Sequence, residues 1–326
     1  SMARGWAERG LVESAFLDWL EDEGRVSFPW SMIDKITPHP SERVQEELGR
    51  LGVADMAIAR TNTGTLIAPF VNAEITEYLV LEDAFPNGRP ALEGAGVYLT
   101  DRTTVEKAEK MKVGTCLNPL HTALAVYGCL LGYTSIAAEM GDADLKALVE
   151  HIAAESLPVV EDPGILSPRA FIDEVLHERF PNPAIPDTPQ RIAADTSQKL
   201  PVRYGGTLRR YARQSEQALA GLEFAPLVFA GWCRYLLGVD DRGNAMPVSP
   251  DPMLPQLQAH LKGIEVGRPD SLAGQLRPIL SNAALFGVDL YAAGLGERTE
   301  EMFRDMLAGP GAVRATLHRN CVCKQP

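Results

Sequence analysis

The stretch Glu109-Lys110-Met111-Lys112-Val113-Gly114-Thr115-Cys116-Leu117-Asn118-Pro119-Leu120-His121 sets a lysine, an asparagine and a histidine at close spacing just ahead of an apolar run, Leu124 to Tyr133. Asn before Pro is a helix start: Pro119 biases Asn118 away from the α region and suits the first helical position, which puts His121 in the first turn. Six residues along one regular helix would carry Lys112 to the opposite side from Asn118, so the spacing predicts that Lys112 enters from an extended or irregular segment with a bend at Gly114. Lysine, amide and imidazole are the groups a metal-free dehydrogenase of secondary alcohols needs. A lysine that has lost its charge takes the hydroxyl proton, and the other two donate to the oxygen that becomes carbonyl. The competing reading makes Asn118 a cap, His121 a partly exposed first-turn residue and Lys112 a solvated side chain.

Around this stretch the pattern changes character. Upstream, residues 11–24 and 41–51 read as helices, while Val26 to Trp30, Leu66 to Val71 and Tyr78 to Leu81 read as short strands; Asp34 then falls near a strand end. From Thr104 onward the periodicity is helical almost throughout, so a boundary is expected near 101–104, between an α/β remnant (1–103) and a helical domain (104–326). Leu124 to Tyr133 is apolar nearly all round and belongs in a core. Ser167-Pro168 and Thr188-Pro189 each open a further helix. The helix after Pro189 carries Arg191, Asp195, Gln198 and Lys199 on one broad face, with Arg191 and Asp195 spaced as an i,i+4 pair, and Arg203 just beyond suits a polar substrate or a carboxylate.

Composition narrows the classes. The 326 residues, 45% hydrophobic and 23% charged, allow two domains with a buried core, and a formal charge of −12 argues against nucleic-acid or anionic-membrane surfaces. Five cysteines, Cys116, Cys129, Cys233, Cys321 and Cys323, form no paired framework, which favours reduced thiols and a cytoplasmic setting. The six histidines form no metal-ligand spacing, so no metal is expected, and no apolar run reaches the roughly 18 residues of a membrane span.

Four stretches in order, Phe28-Pro29-Trp30-Ser31-Met32-Ile33-Asp34-Lys35-Ile36-Thr37-Pro38, Glu82-Asp83-Ala84-Phe85-Pro86-Asn87-Gly88-Arg89-Pro90, Lys112 to His121, and Asp195-Thr196-Ser197-Gln198-Lys199-Leu200-Pro201, resemble the long-chain mannitol dehydrogenase and fructuronate reductase family, the polyol-specific long-chain dehydrogenases. The resemblance implies the end of a Rossmann-type NAD(P)-binding domain followed by a helical domain of the kind that closes 6-phosphogluconate dehydrogenase. It implies Lys112 as general base, Asn118 and His121 as the pair that stabilises the alkoxide, and Asp34, Arg191 and Lys199 as substrate contacts. The cofactor implied is NAD or NADP, and the substrate a hexitol or aldonate interconverted with its ketose or keto-uronate, as mannitol with fructose or mannonate with fructuronate. One departure stands out: the family usually has five steps from lysine to asparagine, and here there are six, which a one-residue bulge at Gly114 would absorb.

The family's glycine-rich phosphate turn has no counterpart. Gly94-Ala95-Gly96 lacks a third glycine and a following helix, and Gly205-Gly206 follows what reads as a helix ending at Lys199. Ala3 to Leu11 resembles a helix that in the family follows most of the nucleotide domain. The expectation is therefore a truncated form, inactive by itself, with Ser1-Met2 an expression scar or internal start. The alternative is a catalytically silent helical binding or assembly module descended from such an enzyme.

Overall fold

The computed structural model describes residues 2–37, 39–62 and 64–322; Ser1, Pro38 and Cys323, which figure in the sequence reading, lie outside the described residues. Among the described residues all the strands precede residue 101. They are β1 (Ser31–Asp34), β2 (Ala59–Arg60), β3 (Leu66–Ile67), β4 (Tyr78–Glu82) and β5 (Tyr98–Thr100). β1 runs antiparallel to β4, with Asp34 opposite Tyr78, and β4 runs parallel to β5; β2 and β3 form a separate two-residue pair. The strand expected at Val26 to Trp30 begins instead at Ser31, after Pro29, whose ring leaves no N–H for a ladder. Along β1, Met32 and Asp34 face inward while Ser31 and Ile33 face out, so the pleat itself carries the Asp34 carboxylate into the interior.

From Arg102 onward the described chain is a series of helices joined by turns and loops, with isolated bridges at Val239–Ala245 and Glu265–Arg268. Asp101 caps the Arg102–Met111 helix by accepting from the Thr104 amide at 3.0 Å. That helix does not end in an extended segment, as the spacing suggested. It passes into one π turn, Lys112–Cys116, in which the Leu117 amide reaches back five residues to the Lys112 carbonyl at 3.1 Å, and then into the Asn118–Leu131 helix.

The core is continuous from Met32 and Val80 in the sheet to Leu317 in the last helix. Its centre is the Asn118–Leu131 helix, buried from Thr122 through Leu130, crossed by the equally buried Phe224–Tyr235 helix. Two glycines permit the close approaches. A Cβ on Gly231 would lie 2.7 Å from the Tyr127 ring, whose hydroxyl donates to the Leu227 carbonyl at 2.8 Å, and a Cβ on Gly128 would lie 2.0 Å from a Glu139 carboxyl oxygen. A helix at 143–156 opens at Asp142, and the helix at 168–174 opens, as expected, at Ser167; each cap side chain is bonded to backbone amides. Exposed large apolar side chains concentrate at the other end of the chain, among them Trp6, Phe16, Trp19, Phe28, Trp30 and Ile33.

Glu139 is wholly buried and neither carboxyl oxygen has a hydrogen-bond partner among the described residues. Burial, reinforced by the Asp142 and Asp187 carboxylates, pushes its acid up to about 9. The folded chain therefore keeps a proton that the unfolded chain releases above the usual carboxyl range, and stability falls as pH rises through that window, by at most about 1.4 kcal/mol per pH unit. Urea unfolding of the native chain is expected to show lower stability at pH 8 than at pH 5, with the slope flattened in Glu139→Gln; parallel curves for the two proteins would refute this. Gly128→Ala should cost about 1–3 kcal/mol at either pH, as overpacking does.

Candidate active site

The site lies where the end of β1 meets the π turn. Lys112 points back to the sheet: its Nζ donates to the Ile33 carbonyl and to Asp34 Oδ1, both at 2.9 Å, and its side chain is 16% exposed. A π turn holds one residue more than an α turn, and this one spans Gly114, between Lys112 and Asn118. The bulge required at Gly114 is thus present as a π turn rather than a kink.

Asn118 opens its helix, yet its side chain makes no capping bond; its backbone carbonyl accepts from Thr122 Oγ1 at 2.9 Å. The half-buried Asn118 side chain makes no hydrogen bond among the described residues, which removes the simple capping explanation. His121, one turn along, lies against the Phe180 ring at 5.0 Å between centroids, with Nε2 3.5 Å from Asp187 Oδ2. Burial, opposed by Asp187 but aided by Arg203, Arg191 and Arg179, holds its imidazole down to about 3, so the ring is neutral and can donate from only one nitrogen.

Asp34 is anchored by a group the sequence reading missed. Arg179, itself 4% exposed, grips it bidentately at 2.7 and 3.1 Å and uses its other edge on Glu74 at 3.0 and 2.8 Å. Burial pushes the Asp34 carboxyl up, but the bonds from Arg179 and Lys112 outweigh it and hold the group below the usual carboxylate range. Glu74 also accepts from the Ile36 amide at 2.7 Å, tying the segment after β1 into the same cluster. Arg179 ends a second π turn, Val175–Arg179. Its sequence context offered no signal beyond a basic residue in a helical run.

The Arg191 to Lys199 segment departs from the continuous helical face. It is a short Pro189–Ile192 helix, a left-handed Asp195 (φ 54°) and a Thr196–Arg203 helix. Arg191 pairs with Asp187 at 2.6 and 2.7 Å, not with Asp195, and that carboxylate joins it to His121. Lys199 reaches back across the break and donates to the carbonyls of Ile192, at 3.0 Å, and Ala194. Burial, then Arg203, lowers its ammonium from the ordinary range. Among the described residues Arg203 meets no carboxylate: it donates to Thr122 Oγ1 at 2.6 Å and to the Asn118 carbonyl at 3.5 Å, its guanidinium lowered to about 10 by burial. Asp187 and Arg191 also line a cavity of about 270 Å³ with Ile36, Thr37 and Ile185. Lys112 therefore joins Asp34, and His121 joins Arg191 through Asp187, while the Lys199 head group is spent on the helix break.

Glycines fit a dinucleotide poorly. Gly96 follows a 3₁₀ turn, Leu92–Ala95, in a left-handed conformation, and Gly205 opens a helix directly behind another helix. Among the described residues no strand, glycine turn and helix come together to hold a pyrophosphate. No three His, Cys, Asp or Glu side chains cluster there as a metal site would need.

Residues 104–299 match the mannitol dehydrogenase C-terminal domain. D-mannonate oxidoreductase of Thermotoga maritima is 57% identical over 314 residues, covering 96% of this chain and 58% of that protein. Mannitol 2-dehydrogenase of Aspergillus niger is 32% identical over 293 residues, 83% of this chain and 50% of that one. The solved Pseudomonas fluorescens mannitol 2-dehydrogenase, in ternary complex with NAD and D-mannitol, superposes with a TM-score of 0.71 at 30% identity, covering 98% of this chain and 58% of that one. The chain belongs to the mannitol dehydrogenase family, and it spans between half and three-fifths of the length of these relatives.

A neutral His121 makes a direct prediction. Its ring ¹⁵N resonances should stay constant between pH 5 and 8, and a titration midpoint inside that range would contradict the burial argument.

Proposed function

We propose that this chain carries the proton-handling side of an oxidoreductase that interconverts a hexitol or aldonate with its ketose or keto-uronate. The observation that supports it best is Lys112, held by Asp34 and the Ile33 carbonyl at the end of β1 and followed across a π turn by the uncommitted amide of Asn118. Oxidising a secondary alcohol removes a proton from oxygen and a hydride from carbon. In this reading Lys112 takes the proton, while the Asn118 amide and the neutral His121 ring hold the oxygen from which it leaves. Asp34 orients Lys112, and Arg191 offers donors to a polyhydroxylated or carboxylate chain, Lys199 doing so only by releasing its carbonyls.

The hydride carrier of the whole protein, on this proposal, is a nicotinamide nucleotide, as the NAD complex of the Pseudomonas fluorescens relative suggests. Residues 1–103 supply the last part of the domain that binds it and 104–326 the substrate side. The residues described form no phosphate cradle for the nucleotide. The 57% identical relative, named a D-mannonate oxidoreductase, supports an aldonate.

The experiment is to compare this chain alone with the same chain joined behind the amino-terminal segment of the Thermotoga maritima relative. The chain alone should show negligible NAD-linked oxidation of mannonate or mannitol, because proximity of carrier and substrate contributes about 7–11 kcal/mol of barrier lowering. The joined protein should be active, and Lys112→Ala should reduce its kcat by about 10²–10⁴ with the fold intact. Full activity of that variant would remove Lys112 as the base. A folded joined protein with no activity on any polyol or aldonate would favour the silent helical module instead.

A further inference from the structure

Lys112 and Arg179 share one carboxylate oxygen, Oδ1 of Asp34, at 2.9 and 3.1 Å. A lysine that must give up a proton is badly served by an unscreened buried carboxylate, because the carboxylate holds the ammonium in its charged form. Arg179 offsets that charge, and Glu74, on the far edge of the guanidinium, takes part of the offset away. The cluster holds two carboxylates and two cations while Lys112 is protonated and carries one net negative charge once it is not. We propose that the buried Arg179–Glu74 pair is a positioning and charge-setting support for Lys112, acting through Asp34 to decide how readily the lysine releases its proton. The inference rests on the reading of Lys112 as the base.

Other charged groups on neighbouring segments are already engaged. Glu174, on the helix that leads into the second π turn, accepts from the hydroxyls of Thr76 and of Tyr78, the latter at 2.6 Å. Lys110 lies near Glu106 and Glu161, at 3.9 and 3.7 Å, and Arg203 is bonded to Thr122. Asp187 is taken by Arg191 and by its contact with His121. Arg179 is thus the cation bonded to the same carboxylate as Lys112. Its own charge is secure: burial disfavours it, but Asp34 and Glu74 together raise it above its ordinary range.

The two members of the pair should therefore act on Lys112 with opposite sign. In the chain labelled with [ε-¹³C]lysine, with the Lys112 resonance identified by its absence in Lys112→Arg, the Lys112 titration midpoint should rise by about one pH unit or more in Arg179→Gln and fall in Glu74→Gln. Arg179→Lys should bring the midpoint back toward the native one. A merely structural role predicts loss of melting temperature in both variants with no opposed shift. Midpoints that move together, or not at all, overturn the proposal. If Arg179→Gln does not fold, Glu74→Gln alone decides, and an unmoved or raised midpoint there refutes it. In the joined protein the pH dependence of kcat should follow the same two shifts. Should the midpoints separate while kcat ignores them, the charge-setting role stands and the base reading fails.

Discussion

The structure turns on one guanidinium. Arg179 is buried and makes four hydrogen bonds to two carboxylates that come from different parts of the chain, Asp34 at the end of β1 and Glu74 in the segment leading to β4. Bringing three charges out of water is expensive, and the arrangement holds only because the planar fork of arginine satisfies both carboxylates in good geometry. Lysine at that position has neither the five donors nor the fixed plane. Through this joint the helical part fixes the end of the sheet, and with it the backbone carbonyl and the carboxylate that hold Lys112.

The same logic recurs around the site in smaller form. Where the helix that starts at Pro189 breaks at a left-handed Asp195, the carbonyls freed at Ile192 and Ala194 are taken up by the Lys199 ammonium. Where the Asn118 helix opens, Arg203 approaches its first carbonyl and bonds the Thr122 hydroxyl. Both cations complete backbone geometry. Burial, with the field of Arg203, Arg191 and Arg179, keeps the His121 imidazole neutral.

Much of this was legible in the residues. The start of the central helix at Asn118-Pro119, one residue earlier than a cap at Asn118 would place it, its burial, and the caps at Ser167 and Thr188 follow from local rules that the fold obeys. What failed were inferences that assumed regularity. Lys112 was expected outside a helix because an α repeat would misplace it, and a π turn solved the same problem while keeping the chain helical. Arg191, Asp195 and Lys199 were expected on one face because nothing in their order announces a left-handed residue between them. Arg179 and Glu74 were invisible for another reason: a partner 105 residues away leaves no periodic trace. Buried ion clusters are tertiary facts.

The two π turns have a further consequence at the level of the gene. Each is an α-helix with one residue too many, and each sits beside a side chain of the Asp34 cluster, Lys112 in one case and Arg179 in the other. Loss of a single codon within 113–116 would leave a locally more regular helix, since ordinary i to i+4 bonding would be restored. It would also rotate everything on one side of the deletion by about 100° relative to the other, parting Lys112 from Asp34 or the Asn118 helix from its core. Drift toward better helices is thus barred at these two places by the side chains they aim. The same reading frame that could gain local order by shortening keeps its extra residue as long as the cluster is needed.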